Sequence, residues 1–302
     1  MTNIFDALFK KKKAPAAVIG GNIQTTPLSE DLSAPVSPRN LAIYPQQLLS
    51  ACGQSNGLQR DHNEDSIYSL NTVVADGKAE FPFGLFIVAD GMGGHLHGEI
   101  ASQVAVRAVA KYVIANVYYK MISINAEPMD KSLQEIIEAA IQEAQKAVLY
   151  YAPGGGTTLT CALILGDKVT IGHVGDSRAY FLFPDGRTTR ISQDHSLVQR
   201  MVDLNEITEE EALAHPNRNV LLRALGQSDP VRPDIQTHQI PRMGSLLLCS
   251  DGLWGVVSDN EINQIAIQSE DLSVACHQMV QAANKAGGPD NISVILVKFA
   301  GE

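Results

Sequence analysis

Apolar positions along this chain follow two rhythms, and the change from one to the other marks out its elements. Short apolar runs bounded by Gly, Asp and Asn predict strands over 48–52, 67–70, 86–89, 157–165, 169–174, 179–183, 246–249 and 292–299. Three-and-four spacing predicts a helix over 99–117, with Ile100, Val104, Ala108, Val109, Tyr112 and Val113 on one side. A second helix is predicted over 131–151, carrying Leu133, Ile136, Ile137, Ala140, Ile141, Ala144 and Val148. Both stripes read as core rather than as a cofactor site. Pro184-Asp185-Gly186 is a hairpin turn, because Pro presets φ and Gly permits φ > 0. Ser258-x-x-Glu261 caps a further helix, and 271–286 forms one more.

Two segments break the rhythm. Residues 14–45 are rich in Pro, Ala, Ser and Thr and read as a linker. Ahead of them a short apolar stretch, 4–9, abuts Lys10 to Lys13, so 1–45 is expected to be a flexible basic tail and 46–302 the folded domain. The second segment, about 192–230, contains Asp194-His195-Ser196-Leu197-Val198, a Thr208-x-x-Glu211 capping box and His215-Pro216-Asn217-Arg218-Asn219. It reads as a mobile insert lying over something.

Composition narrows the function. The 302 residues are 45% hydrophobic, enough for one sizeable core. The net charge is −10; the tail is +2 and the rest −12, which argues against nucleic acid. No apolar run approaches the roughly 18–20 residues of a membrane span, and a secretory signal is not expected. Cys52, Cys161, Cys249 and Cys276 have neither zinc spacing nor disulfide density, so a reduced, cytoplasmic setting is expected.

The candidate chemistry lies where strands end. The run 86–89 leads into Asp90-Gly91-Met92-Gly93-Gly94-His95, and a buried strand ending in a charge needs a partner such as a metal ion. An ordinary solvated turn is the alternative. The dinucleotide fingerprint fails for want of a glycine at position 96, and no Gly-x4-Gly-Lys occurs. A strand or its edge abuts an aspartate in a Gly- or Asn-rich turn four times: Asp90-Gly91, Gly175-Asp176, Asp251-Gly252 and Asp290-Asn291, with Glu64 and Asp65 as a fifth acidic point. Carboxylates converging at one end of a sheet form a hard oxygen donor set, which selects Mg²⁺ or Mn²⁺. Two such ions can clamp the attacking and leaving oxygens of a phosphoryl group.

Arg60-x-x-Asn63-Glu64-Asp65, 88–95, Gly156-Thr157-Thr158, Gly175-Asp176-Ser177-Arg178, Ser250-Asp251-Gly252-Leu253-Trp254 and Asp290-Asn291 occur in this order. Over about 46–300 the chain thereby resembles the metal-dependent protein phosphatases of type 2C, in their bacterial branch, and the insert resembles that branch's flap. The resemblance implies an α+β fold, a four-layer α-β-β-α sandwich of two antiparallel sheets flanked by helix pairs. It implies a serine/threonine protein phosphatase that uses a metal-bridging water and forms no phospho-enzyme. Asp90 would bridge two Mn²⁺ or Mg²⁺ ions, and the Gly91 carbonyl would bind one of them. Asp251 and Asp290 would complete the second, Glu64 and Asp65 would hold ions directly or through water, and Asp176 would help hold a third, weaker ion near the flap. Arg60 would grip the substrate phosphate, with Asp65 assisting the chemistry and His195 contacting substrate from the flap. Phosphorylated proteins would be the partners, and a monomer is expected.

Eukaryotic members place a histidine directly after Asp-Gly as a candidate proton donor; Met92 stands there in this chain. His95 and His195 are candidate substitutes, each at least as readable as a structural residue, and a metal-bound water could serve as well, so no general acid is assigned. Rival phosphatase chemistries fail: no cysteine has an arginine six positions later, and Gly-Asn-His-Glu is absent. A catalytically dead phosphoprotein-binding relative would usually have lost a key position, yet Arg60, Asp90, Asp251 and Asp290 are all kept.

Overall fold

The structure, a computed structural model, describes residues 47–75, 80–93, 96–124, 129–227, 230–241 and 243–300. The tail 1–45 and His95 lie outside the described residues. In chain order the strands are β1 (Gln47–Ser55), β2 (Ser66–Ala75), β3 (Glu80–Ala89), β4 (Gly91–Met92), β5 (Gly156–Thr157) and β6 (Leu159–Leu165). There follow β7 (Lys168–Val174), β8 (Arg178–Leu182), β9 (Thr188–Arg190), β10 (Asp234–Gln239), β11 (Ser245–Cys249) and β12 (Ile292–Ala300). The helices are α1 (Leu96–Val113), α2 (Tyr119–Ile122), α3 (Leu133–Tyr151), α4 (Leu197–Asp203), α5 (Glu209–Leu213), α6 (Asp251–Trp254), α7 (Asp259–Gln268) and α8 (Leu272–Lys285).

The strands form two antiparallel five-stranded sheets, β1-β12-β11-β8-β9 and β10-β7-β6-β3-β2, with a two-stranded β4-β5 pair beside them. Alternation explains why each sheet needs cover on both sides. Along β3, Leu85, Ile87 and Ala89 join the cluster built with α1 and α3, while Phe86 and Val88 join the cluster between the sheets. Along β12, Val294 and Leu296 meet α8, while Ile295 and Val297 turn to the opposite sheet. The result is a four-layer sandwich, helices outside and sheets inside. Each fully buried Leu, Ile or Phe here contributes about 1.5–3 kcal/mol from burial.

Registry gathers one end of the sandwich into a site. Ser66 pairs with Ala89, so Asp65 and Asp90 leave their strands side by side. Cys249 pairs with both Val294 and Arg178, which brings the exits to Ser250-Asp251, Asp290-Asn291 and Asp176-Ser177 to that same end.

Departures from the sequence reading have local causes. β10 has no apolar periodicity because it is a partly exposed edge strand, and β9 is only 3 residues long and half-covered. The first long helix yields to a π-helical turn at Ile114–Tyr118, where the Asn116 side-chain amide donates to the Tyr112 carbonyl at 2.8 Å. Among the described residues no helix is long and apolar enough to cross a membrane.

Candidate active site

Asp90 follows β3 and is fixed by its main chain. Its N–H donates to Thr158 Oγ1 at 2.9 Å, and its carbonyl accepts from Thr158 N–H and Thr157 Oγ1, each at 2.9 Å. Its carboxylate is thus left for other work. Gly91 N–H donates to the Glu64 carbonyl at 3.2 Å. A Cβ on Gly91 would stand 2.2 Å from Gly98 O, so only glycine lets β4, the 59–65 loop and the start of α1 meet.

Asn291 organises the loop that carries Glu64. Its Oδ1 accepts from Glu64 N–H at 2.8 Å, while its amide nitrogen donates to the carbonyls of Asn56 and His62. Glu64 Oε1 meets His62 Nε2 at 3.0 Å. Asp290 accepts from Arg60 Nη2 at 2.8 Å. Asp65 is buried; its Oδ2 accepts from Ser250 Oγ at 2.8 Å and its Oδ1 has no hydrogen-bond partner. Asp251 opens α6 and likewise keeps a buried, unpartnered Oδ1.

A groove of about 500 Å³ is lined by Arg60, Glu64, Asp90, Gly91, Asp176, Asp251 and Asp290, with His62, Asn219, Leu221 and Asn291 among the others. Asp65 lies buried next to it. Seven of the nine predicted site residues therefore face one space. Their electrostatics are strained in one direction. Burial, reinforced by Asp251 and Asp290, pushes the Asp65 carboxyl up to about 7. Burial and Asp290 raise Asp251 to about 6. Asp90 is held well above the ordinary carboxylate range by burial and then by Asp65, Asp251, Asp176 and Asp290. Burial and Asp251 do the same to Asp176.

Like charges crowded together with unpartnered buried oxygens call for a cation. Among the described residues no three donors already close on a single point. The chemistry of the set nonetheless fits hard divalent ions: oxygen donors from several elements around one groove, two of them orphaned.

Asp176 sits in a framework that single motifs did not reveal. Trp254 Nε1 donates to the Asp176 carbonyl at 3.0 Å. Over the Trp254 ring, 3.5 Å from its centroid, lies the Arg178 guanidinium. Arg178 forks Asp194 through Nε at 3.0 Å and Nη2 at 2.7 Å. Burial opposes the Arg178 charge, but Asp194 outweighs it and the group titrates above its ordinary value. Ser250, Asn291, Trp254 and the Arg178–Asp194 fork are the supporting residues that sequence reasoning missed as supports. Their signal was present only as neighbours of the motif aspartates.

His195, expected at the substrate, is not brought to this groove. It is buried, its Nδ1 accepts from Gly175 N–H at 3.2 Å, and its Nε2 lies 3.2 Å from Asp234 Oδ2 and from Arg223 Nη1. It lines a separate cavity with Leu222, Arg223 and Asp234. The segment 214–227 returns over the groove: Leu225 exchanges both main-chain bonds with Thr157, and Gln227 Nε2 reaches Met92 Sδ at 3.7 Å.

Comparison with known proteins gives the same architecture. The family model described as Protein phosphatase 2C matches residues 52–296. The serine/threonine phosphatase stp of Listeria innocua is 38% identical over 249 residues, covering 80% of this chain and 92% of that protein. The crystal structure of the Mycobacterium tuberculosis serine/threonine phosphatase PstP/Ppp is similar at a TM-score of 0.69 and 33% identity, covering 83% of this chain and 98% of that one. The catalytic domain of PstP in complex with two manganese ions is similar at a TM-score of 0.68 and 32% identity, covering 84% and 99%.

Proposed function

The chain belongs to the protein phosphatase 2C family and is a metal-dependent serine/threonine protein phosphatase, and from that premise we propose how its own residues divide the work. The observation that carries the assignment is the cluster of Asp65, Asp90, Asp176 and Asp251, each with its proton affinity raised, in and beside a groove that also presents Arg60.

Two Mn²⁺ or Mg²⁺ ions, with a third held more weakly, supply charge stabilisation and an activated water when bound. Asp90 and the Gly91 carbonyl would hold one ion, Asp90 with Asp251 and Asp290 the second, and Glu64 and Asp65 would hold ions directly or through water from the 59–65 loop. Asp176 would help hold the third from the β7–β8 turn. Arg60 is half exposed and spends one nitrogen on Asp290. Its remaining donors suit phosphate oxygens, whose geometry matches a planar guanidinium. Burial of Asp65 beside Ser250 lets it hold a water-mediated contact without swinging into solvent. With the nucleophile drawn from water, the chain needs no phosphorylated side chain.

Phosphorylated proteins are the proposed substrates, and the chain is proposed to act as a cytoplasmic monomer without nucleic acid. Residues 1–45 carry none of the sequence motifs and are proposed to be dispensable for the chemistry. Hydrolysis of phosphothreonine peptides and p-nitrophenyl phosphate should require Mn²⁺ or Mg²⁺, vanish with chelator and return with metal. Turnover that persists at full rate in chelator would overturn the assignment.

A further inference from the structure

The carboxylate groove opens into a larger space. A cavity of about 720 Å³ is bounded by α4, α5, β9 and the segment from α6 to Asp259. Arg60, Asp176, Asn219, Asp251 and Asp290 line both this cavity and the groove, so the two are continuous. The volume falls within the roughly 300–1,000 Å³ typical of sites that enclose a compact ligand. Its apolar wall is made by Val198, Val202, Ala212 and Leu213 from the insert, together with Val256 and Val257.

We propose that this cavity is a docking subsite for a large aliphatic side chain of the phosphoprotein, located within a few residues of the phosphorylated position. The proposal rests on the phosphatase reading above. Continuity supplies the first reason: an extended chain advances roughly 3.3–3.6 Å per residue, so residues next to a phosphoresidue held at the carboxylates lie within reach of this space. Charge supplies the second. Six carboxylates against four guanidiniums line the cavity. Arg178 is committed to Asp194, and Arg190 to Gln199 at 3.1 Å. With Asp176, Asp251 and Asp290 given to metal and Arg60 to phosphate, an acidic flank would find only Arg218, which is exposed and already donates to the Leu213 carbonyl at 3.1 Å. A basic flank would find Glu209 and Asp259, both exposed, where solvent screening leaves an ion pair little value. The apolar wall is what remains to reward an occupant, and Leu213 is 49% exposed without one.

Phosphopeptides of one core sequence with alanine flanks, carrying a single Leu, Glu or Lys moved through the neighbouring positions, test this directly. Leu at one or two positions should raise kcat/KM by roughly tenfold or more over Ala, whereas Glu and Lys should not. Leu213→Ser and, separately, Val202→Ser should bring the Leu and Ala peptides to a common rate; both side chains are only partly covered, so the fold tolerates the change. A flat profile, a preference for Glu or Lys, or a Leu advantage that survives both substitutions would overturn the subsite while leaving the phosphatase assignment standing. Failure of every peptide to turn over with Mn²⁺ would overturn that assignment itself, and the subsite with it.

Discussion

Trp254 and Asp176 are joined by an indole N–H to carbonyl hydrogen bond of 3.0 Å, although 78 positions separate them in the chain. Trp254 also ends the helix that Asp251 begins, so one rigid ring spaces two of the carboxylates. Trp254→Phe keeps an aromatic face for Arg178 but deletes that bond, worth about 0.5–1.5 kcal/mol. Isothermal titration should show the weakest Mn²⁺ event loosened by up to roughly tenfold, with the tighter events retained. Because Trp254 is the chain's single tryptophan, its fluorescence should respond to Mn²⁺ in the wild type. It should lose its final phase in Asp176→Ala.

Arg178 and Asp194 are 13% and 4% exposed and share a fork of hydrogen bonds. Removing one partner strands a buried charge. Arg178→Met should cost about 3–5 kcal/mol in denaturant unfolding, and Arg178→Met with Asp194→Leu clearly less than the two single losses summed. Additive losses would show that the pair is not coupled.

How far the sequence carried the fold and site depends on where the apolar pattern and the aspartates fall. Runs such as 86–89 and 292–299 were legible because both faces of their strands are covered, so every position but Ser293 and Lys298 is apolar. Asp234–Gln239 was not, because an edge strand with an open face needs no apolar code. The carboxylates Asp90, Asp176, Asp251 and Asp290 were legible from their recurring place at strand ends. The partners of Asp194 and His195, Arg178 and the Gly175 main chain, were not legible, because they are set by tertiary packing and leave no local signature.

His195 ties the insert to the main chain of Gly175, one residue before Asp176. Its ring also packs 4.9 Å from His173, whose pKa burial lowers to about 4. His195→Ala should therefore loosen the insert more than it disturbs the carboxylates. Expected is a fall of roughly tenfold in kcat/KM for a phosphoprotein, mostly through KM, with a smaller change for p-nitrophenyl phosphate. Equal losses of several orders for both substrates would instead place His195 in the chemistry.

Asp90 and Arg60 should separate metal binding from phosphate binding. Asp90→Asn removes the charge on which four other carboxylates press, so turnover should be abolished and calorimetric Mn²⁺ binding lost. Arg60→Ala leaves every carboxylate in place. It should raise KM, lower kcat as well if the contact tightens in the transition state, and keep its metal isotherm. Stability gives an independent readout in metal-free protein. Asp90 has a folded pKa raised above its ordinary 3.8. It therefore binds its proton more tightly when folded, and the associated stability is complete below the unfolded value and lost as pH rises through the folded one. Metal-free Asp90→Asn should accordingly be more stable than wild type at pH 7.5, with the gap closing as pH falls toward about 4. Histidine protonation affects both proteins alike and cancels in this difference. Added Mn²⁺ should reverse the order at pH 7.5, stabilising wild type by mass action and the variant little. Equal metal affinity in Asp90→Asn and Arg60→Ala would remove Asp90 from the centre of the site.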